Sequence, residues 1–181
     1  MANFKGNELY IHGSGLKTGI LLTNLGTPDE PTPPSLRTYL RQFLSDGRVI
    51  ETPKAIWWLI LNGIVLRTRP AKSAKAYQSV WTDDGSPLLL YTQKQKNLIK
   101  QQLEKKYPNL IFDIGMRYGN PSIAEGLNNL RNQNCDRIIV LPLYPQYCAA
   151  TTGSTFDAVA LELQQWRWVP SLRFIGSYYD Q

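Results

Sequence analysis

Arg117 and Tyr118 stand side by side where an aliphatic run, IFDIGM, gives way to RYGNP. A guanidinium at such a place can pair with a carboxylate or phosphate, and a phenol can stack on a flat ring or hydrogen-bond to it. The same arginine can equally snorkel along a sheet edge to water. A second group of candidates is Arg67, Arg69, Lys72 and Tyr77, followed by the turn Gly85-Ser86-Pro87. A third is the stretch PLYPQYCAATTGS, in which Tyr144, Tyr147, Thr151 and Thr152 accompany two prolines. It reads as a rigid aromatic wall, or as a loop that packs its tyrosines beneath itself. The loop Asn24-Leu25-Gly26-Thr27-Pro28 has the form of an ordinary strand–turn–helix connection, with Gly for a positive φ and Pro near the helix start. Gly26 belongs to no G-x-G-x-x-G, and G-x-x-x-x-G-K-[ST] is absent, which disfavours dinucleotide and P-loop chemistry. The single histidine, His12, lies in the polar leader. Cys135 reads as a small buried hydrophobe, and Cys148, with no second cysteine nearby, makes a poor metal site and an unconvincing nucleophile.

Such residues need a frame. Thr18–Leu25, Ile111–Met116, Arg137–Leu143 and, more weakly, Leu172–Ile175 are short apolar runs closed by turns, the pattern of strands buried on both faces. Helical spacing is predicted over Pro34–Leu44, Leu88–Tyr107, Pro121–Gln133 and Ser154–Trp166. Strands alternating with helices predict a three-layer α/β domain around a parallel sheet, in which ligands sit beyond the carboxyl ends of the strands. Residues 1–17 read as a disordered leader, and 18–181 as the domain. Within the domain, 47–86 has helices but no strand and holds three of the five tryptophans, so it is a candidate lid or pocket wall. Inside that segment, Ala55–Leu66 (AIWWLILNGIVL) is either core or a lip that meets a membrane or a greasy ligand. The last strand candidate is followed only by GSYYDQ, where a doubly wound sheet closes with another helix, so the chain reads as cut.

Composition narrows the classes. With 181 residues, 43% of them apolar and 19% charged, the chain can bury a core, which excludes disorder. A net charge of +6 favours an anionic partner. Lys94–Lys106 is a solvated basic helix face without interleaved aromatics, so nucleic acid is not expected. Two cysteines exclude a disulfide scaffold. MANFKGNELYIHGSG carries no apolar signal core, and a cytoplasmic location is expected, with membrane association through 55–66 as an addition.

The segments GILLTNLGTPDEPT, FLSDGRV, VWTDDGSPL, GMRYGNPS and VLPLYPQYCAATTGST, in this order and spacing, resemble the N-terminal half of ferrochelatase, in the Trp-rich form of the Gram-negative branch. The resemblance implies two similar Rossmann-like domains with a porphyrin in the cleft between them, of which this chain supplies the first and lacks the second. It implies insertion of ferrous iron into protoporphyrin IX to form haem. It places Arg117 and Tyr118 in the pocket, Arg69, Lys72, Tyr77 and Ser86 at the propionates, Tyr147 and Thr151 in the wall, and Leu25 beside the macrocycle, without an axial ligand. Ser86 falls two residues later than in some relatives. Ala149 stands where some members place a cluster cysteine, so no iron–sulfur centre is expected. The family's catalytic His and Glu fall beyond Gln181, so the chain is expected to be inactive alone. A non-catalytic porphyrin-binding paralogue is the alternative. A cobalt chelatase for a corrin precursor and a flavodoxin-like nucleotide domain fit less well, lacking respectively further cations and a phosphate loop.

Overall fold

The computed structural model describes residues 4–6 and 16–181. Four strands form one parallel sheet: β1 (Lys17–Thr27), β2 (Leu110–Gly119), β3 (Cys135–Pro142) and β4 (Ser171–Phe174), in the spatial order β2-β1-β3-β4. β1 and β2 extend a few residues further toward the carboxyl edge than the aliphatic runs alone suggest. Pairing in register, Gly26 with Tyr118 and Thr27 with Gly119, carries the ladder through the loop residues. The order places a topological switch between β1 and β3, and open parallel sheets bind ligands beyond the strand ends at such a point.

Helices α5 (Ile123–Asn132) and α6 (Ser154–Leu163) cover one face, burying Leu21, Leu127, Leu130, Ile138, Val140 and Val159. Helix α4 (Pro87–Leu103) lies on the other face over β1 and β2, against Ile20, Leu22, Ile114 and Met116. Coverage of both faces explains why consecutive β1 residues, Ile20 to Leu22, are all buried. α5 starts at a capping box, with Ser122 and Glu125 bonding each other's backbone N–H. The three-layer α/β arrangement follows.

Helix α1 (Pro33–Leu44) and the segment that follows it stand at the carboxyl end of the sheet. α2 (Lys54–Ile60), a π-helical turn (Leu61–Val65) and α3 (Leu66–Gln78) run as one continuous rod. The wide turn has a geometric reason. The inward stripe of this rod, Trp57, Leu61, Leu66, Pro70 and Ala74, is spaced four, five, four and four residues, and the π turn absorbs the five. Pro70 has no N–H for the carbonyl of Leu66, and Arg37 Nε donates to that oxygen instead at 2.8 Å. Trp57 Nε1 donates to the Leu44 carbonyl at the end of α1, 2.6 Å away. Residues 55–66 are part core and part surface: Leu61 and Leu66 are buried, whereas Trp58, Leu59 and Ile64 each keep over 60% of their surface exposed.

The leader departs from the structureless reading at Lys5. Its backbone pairs with the Gln165–Arg167 segment, and its ammonium binds Glu162 at 2.8 and 3.0 Å. Glu162 is 5% exposed and also accepts from Asn128 and Trp166, so a buried carboxylate recruits a cation from the leader. His12 lies outside the described residues. Among the described residues no helix is long and apolar enough to cross a membrane.

The tightest contact in the layer is at Gly126 of α5, where an added Cβ would lie 2.5 Å from the Ile114 carbonyl and 2.6 Å from Leu21 Cδ1. Gly126→Ala is expected to cost about 1–3 kcal/mol, read as a lower urea midpoint with an unchanged slope; an unchanged midpoint would show that helix and sheet separate freely.

Candidate functional site at the carboxyl edge of the sheet

The last residues of β2 are held by one carboxylate. Asp46, in the loop after α1, has a side chain 7% exposed and accepts from Arg117 Nη2 at 2.5 Å, Tyr118 OH at 2.8 Å and Ser154 Oγ at 2.5 Å. Its other oxygen accepts from the Arg48 backbone N–H at 2.8 Å. Burial of Asp46 opposes its charge, but the donors Ser154, Arg48 and Tyr118 and the Arg117 cation outweigh it and hold the carboxyl below its ordinary range. Arg117 Nε also reaches the Ser154 carbonyl at 3.0 Å, so the guanidinium is committed on two sides. A few residues on, Arg48 forks onto Asp157 of α6 through Nε and Nη2. β2, the post-α1 loop and the start of α6 are thus tied into one ionic network.

Tyr118 sits differently from a phenol open to a ligand. It is 1% exposed, its ring packs edge-on against Phe43 and Tyr39 at 5.2 and 6.5 Å, and the Arg117 guanidinium lies 4.5 Å from the ring centre. Burial pushes its pKa up to about 12. Tyr118 therefore holds the floor of the site as a neutral phenol.

Above that floor lies a recess of about 260 Å³ at the end of β1. Leu25, Gly26 and Thr27 form its base, Tyr39, Tyr77 and Trp81 its aromatic side, and Ser86 with Leu88 the start of α4. Gly26 has φ +104°, and a Cβ there would collide with the Tyr118 carbonyl, so only glycine lets the two strands close under the recess. Tyr39 OH donates to the Gly26 carbonyl at 3.3 Å, and its ring meets Tyr77 at 6.3 Å. Burial keeps the Tyr39 phenol far from ionising. Among the described residues no charged side chain lines the recess.

The sequence-predicted residues are therefore distributed. Leu25, Tyr77 and Ser86 line the recess, and Arg117 and Tyr118 lie beneath it, linked through Tyr39. Arg69 and Lys72 are exposed on α3, two turns and just over one turn before Tyr77. Lys72 lies about 200° around the helix from buried Pro70, on the solvent side, whereas Arg69 flanks the inward stripe. Tyr147 is largely exposed, with its hydroxyl folded back toward Gly153. Thr151 is half-buried in a π-helical turn (Ala149–Gly153) that opens α6, and its hydroxyl leans on the Cys148 carbonyl. Near them the buried hydroxyls of Tyr144 and Thr152 have no hydrogen-bond partner among the described residues. Sequence reasoning missed Asp46, Arg48, Ser154 and Asp157. Asp46 lies 71 residues from Arg117 and 108 from Ser154, so no local spacing pairs them.

Cys148 is exposed, whereas Cys135 is buried, and burial raises its thiol to about 11. Among the described residues no three His, Cys, Asp or Glu side chains come together. The site as it stands offers apolar and aromatic surface, hydroxyls and flanking cations.

Comparison with known proteins bears on what such a site serves. The ferrochelatase family model matches residues 17–181. The chain belongs to the ferrochelatase family. It is 53% identical over 178 residues to a ferrochelatase of Thioalkalivibrio sulfidiphilus, covering 98% of this chain and 48% of that protein. It is 55% identical to a ferrochelatase of Hydrogenovibrio crunogenus, covering 97% and 48%. A protein of Shewanella oneidensis called ferrochelatase 2 is 54% identical over 169 residues, covering 93% and 52%. The chain thus spans about half the length of the curated relatives it matches.

Asp46→Ala would strip Arg117 of its counter-ion and is expected to destabilise the domain by about 2–3 kcal/mol, less than for a fully buried pair because Arg117 keeps 21% of its side-chain surface. Because the native carboxyl titrates lower than an unfolded aspartate, this contribution is whole above about pH 4 and fades as pH falls. Denaturation curves of the two proteins should converge in acid; a gap that persists there would mean the charge of Asp46 is not what stabilises.

Proposed function

We propose that this chain is the porphyrin-holding half of an enzyme that inserts ferrous iron into protoporphyrin IX, and that alone it binds the pigment without metallating it. The observation carrying this reading is the recess: uncharged among the described residues, aromatic and set at the carboxyl edge of a parallel sheet, with Tyr77 of α3, the helix that also carries Arg69 and Lys72, on its wall. Its volume of about 260 Å³ falls below the ~300–1,000 Å³ of a closed ligand pocket, so it suits the edge of a large flat ring whose remainder is covered from elsewhere.

In this reading Leu25 lies against the macrocycle and Tyr77 faces its edge. Arg69 and Lys72 meet the propionates, Ser86 adds a hydroxyl, and Tyr147 and Thr151 wall the opposite side. Arg117 and Tyr118, braced by Asp46, keep that edge rigid. Metal insertion bends the ring so that pyrrole lone pairs leave the plane, and binding energy from the remote propionates can be spent on that bend. Two pyrrole N–H protons must also leave, which needs a base with a pKa near working pH. Tyr39 and Tyr118 are held protonated, so these described phenols of the recess and its floor supply no such base. The base belongs to the half this chain does not match. Iron enters as substrate, and no resident cluster or other cofactor is part of the scheme. The exposed face Trp58, Leu59 and Ile64, flanked by Lys54 and Arg67, is suited to peripheral contact with an anionic bilayer, from which an apolar pigment could pass to the recess.

Titration of protoporphyrin IX absorbance with the chain tests this. Saturable binding is expected, weakened about fivefold by Arg69→Ala, the worth of one exposed ion pair near 1 kcal/mol, and further by Tyr77→Ala, with no zinc or iron insertion by the chain alone. Binding indifferent to both substitutions, or metallation without a partner, would overturn the reading.

A further inference from the structure

Part of the recess wall has no role among the candidates named from the sequence. Trp81 lies there beside Val80, four residues after Tyr77. Its backbone N–H donates to the Tyr77 carbonyl at 2.9 Å, which carries the helical spacing of α3 past its last residue. Its ring stands 6.3 Å from that of Tyr77, tilted by 58°. Directly after it the chain closes on itself. Thr82 and Gly85 exchange backbone hydrogen bonds at 3.1 and 3.0 Å, and Thr82 Oγ1 donates to the Gly85 carbonyl at 2.9 Å. Gly85, at φ +116°, permits that closure. The half-buried indole is thus held by a helix end before it and a locked turn behind it, so little ordering remains for a ligand to impose.

The chemistry of this wall decides what it accepts. An indole and the exposed isopropyl group of Val80 offer apolar surface. The cations Arg69 and Lys72 stand further back on α3, twelve and nine residues before Trp81. On the other side come Asp83 and Asp84, exposed at the tip of the turn. Each is two residues from a lining residue, Trp81 or Ser86, and so within about 7.6 Å of it, Cα to Cα. An ionised carboxylate brought against Trp81 would lose water without gaining a cation and would approach two like charges. An uncharged substituent meets neither obstacle. We propose that Trp81, with Val80, determines specificity: it accepts the vinyl side of a dicarboxylic porphyrin and rejects tetrapyrroles that carry a carboxylate there. The basic stretch of α3 and the apolar, acid-flanked end that follows it thereby orient the ring, carboxylates toward the first and vinyl groups toward the second. The inference rests on the porphyrin reading and adds to it the residue that distinguishes two carboxylates from four.

Absorbance titrations of the chain with two porphyrins, in the same dilute non-ionic detergent, test this. Protoporphyrin IX carries two propionates and two vinyl groups, whereas coproporphyrin III carries propionates at all of those positions. The unmodified chain is expected to bind protoporphyrin IX at least about tenfold more tightly. Trp81→Ala should weaken protoporphyrin IX about tenfold and coproporphyrin III less than about twofold, so that the preference is lost. Trp81→Phe keeps an aromatic ring and should keep the preference. Trp81→Arg, which places a cation at the wall, should tighten coproporphyrin III about fivefold. Circular dichroism checks the folding of each variant, and if Trp81→Ala fails it, Trp81→Arg still decides. A purely structural role would lower both affinities together and leave their ratio unchanged, which would overturn the proposal; so would equal affinities in the unmodified chain. If protoporphyrin IX binds with a preference indifferent to position 81, this inference alone fails. If neither porphyrin binds, the porphyrin reading fails with it.

Discussion

A single buried carboxylate organises the end of the sheet where the candidate site lies. Asp46 gathers a guanidinium, a phenol, a serine hydroxyl and a backbone amide, drawn from β2, the start of α6 and its own loop. The desolvation of that charge is tolerated only because every donor is in place. In return β2, the loop after α1 and the start of α6 cannot move independently. The rigidity matters because the recess is built from strand ends and helix starts, which would otherwise be free to drift.

The contrast between the recess and its surroundings is chemical. Its lining is aromatic and aliphatic, with hydroxyls and the Trp81 indole as its side-chain polar groups. Charge is kept one layer below, neutralised in the Asp46 network, or one layer out, on α3. On the proposed reading, a flat apolar ring with carboxylates at one edge would meet both environments at once. The π turn in the α2–α3 rod serves the same division. By shifting the inward stripe five residues from Leu61 to Leu66, it lets α3 keep Tyr77 on the recess while α2 presents Trp58 and Leu59 to the outside.

Much of the chain was written locally. Unbroken aliphatic runs such as ILL at 20–22 announce strands covered on both sides, because a parallel sheet with helices on both faces asks for no alternation. Asn-Pro-Ser before an amphipathic stretch announces α5, and its capping box is satisfied within four residues. The importance of Arg117 and Tyr118 was visible from their place at a strand end. Their task was not, since Arg117 is committed to Asp46 and Ser154, and Tyr118 is buried under Tyr39 and Phe43. The polar, Gly-bearing leader gives no local sign of the Lys5 pairing, because its partner Glu162 is 157 residues away.

Composition, period and turn chemistry thus determined the α/β class, the alternation of strands and helices and the positions of the loops that matter, because those properties depend on neighbours a few residues apart. The tertiary structure alone decided which side chains meet. It put Leu25, Tyr77 and Ser86 around one recess and left Arg69 and Lys72 outside it. It exposed Trp58 while burying Leu61. Ion pairing, burial and layer coverage are properties of residues brought together across tens of positions, and they come into being only when the chain has closed on itself.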